Sequence, residues 1–135
     1  MGSFQVESYR VRLDVQRVGN PVVTIRSRIL EILSVSHNGI AERAILNFST
    51  AWDNWQGAVA VGIYNVANPL QPLLTGWMPS SEFPFWYDVL RSEKPLTLFY
   101  NIAPIGGANY VNDISLGTSS ASAEPIGEGP VDESP

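Results

Sequence analysis

A chain of 135 residues is sized for one domain with a single sizeable core. Only 16% of its residues are charged, against about a quarter in an average domain, which favours a well-buried sheet protein or an oligomer over a disordered chain. With no cysteine and a single histidine, His37, the composition excludes a disulfide framework, a thiolate nucleophile and a multi-histidine zinc site, and no metal or cofactor is expected.

The opening MGSFQVESYRVRLD lacks the basic-then-apolar plan of a secretory signal, and Val6 stands where a myristoylation motif needs Ser or Thr. In SYRVRLDVQR, Tyr9, Val11, Leu13 and Val15 alternate with Arg10, Arg12, Asp14 and Gln16, the period of a half-buried strand. Val18-Gly19-Asn20-Pro21 reads as a turn. PVVTIRSRILEILSV, rich in β-branched residues, predicts a second strand with a change of facing near Ile29 to Glu31, although Ile25, Ile29 and Leu33 also have helical spacing. His37-Asn38-Gly39 suits a type I′ turn, and ERAILNFST returns from it with Ala44, Leu46 and Phe48 on one face.

After WDNWQG, the segment AVAVGIYNVA predicts a further strand packed closely through Ala58, Ala60 and Gly62. NPLQPLLTGWMP, broken by prolines, is expected to run along the surface. SSEFPFWYDVLRSEKP predicts the one helix, capped by Ser80 or Ser81 and ended by Pro95, with Phe83, Trp86 and Tyr87 facing the core. PLTLFYNIA and ANYVNDISL are two last strands joined at Ile105-Gly106-Gly107. The remainder carries Glu124, Glu128, Asp132 and Glu133 and no base, so four of the five net negative charges belong to the tail, and the body is almost balanced. The expected organisation is an all-β, antiparallel β-sandwich over residues 1–117 with one short helix, followed by a disordered acidic tail over 118–135.

Part of this pattern resembles the fungal fruit-body lectins, whose β-sandwich is shared with the actinoporin cytolysins. The resemblance lies in SYRVRLDVQ, in ILNFSTAWDNWQGAVAVGIYN with its ending Gly62-Ile63-Tyr64-Asn65, and in FYNIAPIGGANYVNDISL. It implies a sandwich fold and a sugar site, onto which Tyr64 and Asn65 carry over. The Arg-Trp-Cys-Asp-like segment that follows in the lectins is replaced here by Val66-Ala67-Asn68-Pro69.

Two functions of different class follow. Trp52, Asp53, Asn54 and Trp55 set two aromatic rings around polar groups, as in sites that stack on a sugar ring and fix its hydroxyls. With Tyr64, Asn65 and Trp77 they are the candidate ligand-binding residues of a lectin-like module for glycan or lipid headgroups. The alternative is a structural protein that self-associates through low-charge strands, and a homo-oligomer is expected. No catalytic residue is assigned: Ser34, Ser36 and His37 lack a third partner, and Asp53 would need a fold contact with Asp113 or Glu42. Arg10, Arg12, Arg26 and Arg28 are the one basic cluster and read as a solvated face, so no nucleic-acid partner is expected. No apolar run nears the ~20 residues of a membrane span, and the expected location is cytoplasmic, or exported without a recognisable signal peptide.

Overall fold

The computed structural model describes residues 2–36, 38–53 and 60–118. These form strands β1 (Gly2–Val18), β2 (Val23–Ser34), β3 (Arg43–Ser49), β4 (Gly62–Asn65) and β5 (Leu73–Pro79), helix α1 (Phe83–Ser92), and strands β6 (Leu96–Ile105) and β7 (Ala108–Thr118). Single 3-10 turns follow β3 at Thr50–Trp52 and β5 at Ser80–Glu82. The all-β class with one short helix is as the sequence predicts. The tail expected over 118–135 lies outside the described residues from 119 onward, and Thr118 itself pairs with Leu96.

The strands do not divide into two facing sheets. They close into one barrel in the order β1-β2-β3-β5-β4-β7-β6, sealed where Gly2–Gln5 pairs with Thr97–Tyr100. All pairs are antiparallel except β3 with β5, which run parallel. The difference from a sandwich comes from β5. Its segment was expected on the surface because prolines punctuate it, yet Pro69 and Pro72 precede the strand and Pro79 only ends it. Between them Leu74, Gly76 and Met78 face inward, so β5 fills the gap between β3 and β4 and lets a single sheet close.

The interior follows the period of two. Leu30 and Ile32 of β2, Ala44, Leu46 and Phe48 of β3, Leu98 and Tyr100 of β6 and Val111 of β7 are buried together. Opposite them Gly62 pairs with Gly76, and neither has room for a side chain: a Cβ on Gly62 would overlap the Thr75 carbonyl, and one on Gly76 would strike Leu46. Two turns are as expected from sequence: Asn38 and Gly39 both have positive φ before β3, and Gly106 and Gly107 do so between β6 and β7.

Helix α1 packs across the end of the barrel at which Phe48 sits. Phe83 meets Phe48 edge-on at 5.5 Å, Trp86 lies 6.2 Å from the same ring, and Tyr87 meets Tyr9 at 6.1 Å, so the expected core face of the helix is in place. Its start is not capped by Ser80 or Ser81. The N-cap position is Glu82, which makes no side-chain capping bond.

β1 departs most from expectation. Alternation predicted a face buried through Tyr9, Val11, Leu13 and Val15, but only Tyr9 is partly covered. Every residue from Arg10 to Thr24 is exposed, and Leu13 is 71% and Val15 64% accessible. Pairing explains why. β1 leaves β6 after Gln5, is irregular around Glu7, and from Ser8 to Val18 pairs with β2 alone, while β2 reaches β3 only from Ser27 onward. The outcome is an exposed hairpin arm, open along β1 from Ser8 to Val18; only its tip, Val15–Val18 paired with Val23–Arg26, is two-stranded, since β2 from Ser27 onward is also paired with β3. In β2 burial shifts from Ser27 to Leu30, Ile32 and Ser34 while the pairing stays regular. The expected change of facing is thus a change in what covers the strand.

Candidate functional site

The residues singled out from sequence fall at opposite ends of β3. Past its C-terminal end, the Ser49 hydroxyl accepts from the Ala51 N–H at 3.1 Å and turns the chain so that Trp52 stands off the barrel. Trp52 stacks on Trp77 of β5, centroids 5.8 Å apart and planes 29° from parallel, and remains 40% exposed. Trp77 pairs in register with Asn47 of β3, whose side-chain carbonyl oxygen is buried and has no hydrogen-bond partner among the described residues. Asp53 is engaged: its Oδ1 accepts from the Ser80 N–H at 2.9 Å and from the Ser80 hydroxyl at 2.7 Å. Asn54 and Trp55 lie outside the described residues.

Tyr64 and Asn65 belong to the other end. The Asn65 side-chain Oδ1 accepts from the Ala67 N–H at 2.7 Å, closing a local turn. Tyr64 stacks on Tyr100 at 4.8 Å, and both hydroxyls donate to Oε1 of Glu42, at 3.2 and 3.1 Å. Burial first, then the neighbouring Tyr64 and the Glu42 charge, raise the Tyr100 hydroxyl well above the ordinary tyrosine range. Burial, followed by Glu42, also raises Tyr64. Both phenols therefore stay protonated donors, and the carboxylate joins β4, β6 and the entry to β3. Sequence reading singled out Tyr64, considered Glu42 only as a partner for Asp53 and did not reach Tyr100, and at separations of 22 and 58 residues no local signal joins them.

The serine and carboxylate groups considered from sequence are not assembled. The Ser34 hydroxyl donates to the Val35 carbonyl and accepts from the Glu42 N–H, and His37 lies outside the described residues. Glu42 and Asp53 flank opposite ends of β3 and engage different partners. Among the described residues, no group of three or more His, Asp or Glu is placed to hold a metal ion, and no helix is long and apolar enough to cross a membrane.

The arm is the remaining surface with chemistry. One face carries Val11, Leu13 and Val15 beside Arg26 and Arg28, and Arg28 lies 4.9 Å over the Phe83 ring. The other carries Arg10, Arg12, Asp14 and Gln16. At its base Arg10 contacts Glu31 at 2.6 Å and Arg43 reaches the same carboxylate at 3.4 Å, holding Glu31 below the usual carboxylate range, Arg10 contributing most. Five of the eight basic residues lie on this hairpin, at positions 10, 12, 17, 26 and 28.

Compared with known proteins, the chain matches no family model, no curated sequence and no solved structure.

Proposed function

We propose that this protein is a structural assembly protein, a closed barrel whose hairpin arm, open along β1, is the surface by which copies bind one another. The observation that carries this reading is the exposure of the whole arm. Val11, Leu13 and Val15 stand in water along one face of β1. Burying a Val or Leu side chain gains about 1.5–3 kcal/mol, so a contiguous set of this kind favours a covering surface. The reading involves no catalytic chemistry. Sedimentation of the full chain at micromolar concentration tests it. A dimer or larger species that becomes a monomer on Leu13→Asp with Val15→Asp, at an unchanged melting temperature, supports the proposal. A wild-type monomer refutes it.

A second reading has its own observation. The Trp52–Trp77 stack, beside an Asn47 oxygen that has no partner among the described residues, combines an exposed aromatic face with a polar group, which supports a lectin-like site for a glycan or lipid headgroup. Binding on a glycan array that disappears with Trp52→Ala would favour it, and no binding to glycans or headgroup-bearing vesicles would remove it.

A further inference from the structure

We propose that the partner of the arm is the same arm of a second copy, paired edge to edge and antiparallel about a two-fold axis at Leu13. The inference rests on the assembly reading and specifies how that assembly is made.

The backbone argument comes first. From Ser8 to Val18, β1 is bonded on one side to β2, and among the described residues no strand occupies its other side. Alternate N–H and C=O groups along this edge therefore point outward, the arrangement to which another strand adds. Leu13 is the midpoint of Ser8–Val18. A two-fold axis there pairs the whole open edge with its copy and leaves no overhang.

Side chains select the same register. In an antiparallel pair about Leu13, Val11 meets Val15 of the second copy and Arg12 meets Asp14, each contact made twice by symmetry, while Leu13 meets Leu13 once on the axis. The apolar residues from Val11 to Val15 then run unbroken across both arms, while Gln16 meets Arg10 on the other face and Tyr9 meets Arg17 at the ends of the apolar one. Among the described residues neither Arg12 nor Asp14 has an ion-pair partner within its own chain, whereas the nearby Arg10 is held by Glu31. The adjacent registers fail. An axis at Arg12 sets Arg12 against Arg12, one at Asp14 sets Asp14 against Asp14, and like charges directly opposite are destabilising. An axis between residues would mix the charged face with the apolar one. Of the registers centred on Arg12, Leu13 and Asp14, only the one about Leu13 is self-complementary, as an isologous contact requires, and it alone pairs the whole open edge.

Because the chain has no cysteine, the register can be read by cross-linking in the full-length protein. Leu13→Cys should give a disulfide-linked dimer on mild oxidation, since residues directly opposite in a sheet lie within disulfide reach. Val18→Cys, which faces Ser8 of the copy, should not. Arg12→Asp alone and Asp14→Arg alone should each weaken association by about tenfold or more, and the double exchange should restore it. An assembly in which Leu13→Cys fails to cross-link, or in which the double exchange fails to rescue, overturns this register and leaves the assembly reading standing. A wild-type chain that sediments as a monomer overturns both.

Discussion

Asp53 and Ser80, 27 residues apart, are joined by a single carboxylate oxygen that accepts from both the backbone N–H and the hydroxyl of Ser80. The bond ties the turn after β3 to the 3-10 turn that leads into α1, and it caps that 3-10 turn from elsewhere in the chain. Asp53→Ala should lower stability in urea by about 1–2 kcal/mol, the cost of losing a charged cap. Asp53→Asn, which keeps one acceptor oxygen, should cost less. A ligand role alone would leave the unfolding curve of Asp53→Ala unchanged.

The Gly62–Gly76 pair sets how closely β4 and β5 approach. Gly62→Ala would press its Cβ into the Thr75 carbonyl, and backbone cannot move aside as a flexible side chain can. A loss of about 1–3 kcal/mol in chemical denaturation is expected. Gly117→Ala, with nothing within 4 Å of the added carbon, serves as the control and should cost less.

The tyrosine pair makes the barrel sensitive to alkali. Tyr100 and Tyr64 have folded-state values raised above the unfolded value of about 10. Above pH ~10 the unfolded chain releases protons that the native state keeps, so the stability these groups contribute is full below that pH and falls as pH rises. Melting temperatures from pH 8 to 11 should decline, and Tyr100→Phe should flatten the decline. An identical slope in wild type and variant would contradict this.

Trp52 is stacked but open to water. Trp52→Ala should therefore cost about 1 kcal/mol, well short of the 3–5 kcal/mol of a core aromatic. A loss of the larger size, measured by denaturation, would remove the ligand reading of that end.

What the sequence made legible was local. The Asn38-Gly39 and Gly106-Gly107 turns are fixed by positive φ, a property of the residues themselves. The helix appeared where Phe83, Trp86 and Tyr87 placed it. Leu73–Pro79 was missed because its flanking prolines resemble breaks, and with it went the closed barrel. Glu42 between Tyr64 and Tyr100, and Asp53 on Ser80, depend on contacts across the fold that no spacing records. The alternation of Tyr9 to Val15 revealed a strand but not its cover. Period two reports that one face is apolar, and what the face meets is decided by where the neighbouring strands end.

The central claim is that the open edge of β1 is closed by a second copy, and amide hydrogen exchange along Ser8–Val18 tests it most directly. At micromolar concentration, alternate amides on the side away from β2 should be protected, and the protection should vanish on dilution or with Leu13→Asp while the barrel strands keep theirs. Exchange of those amides at the unprotected rate, at every concentration, would contradict the account.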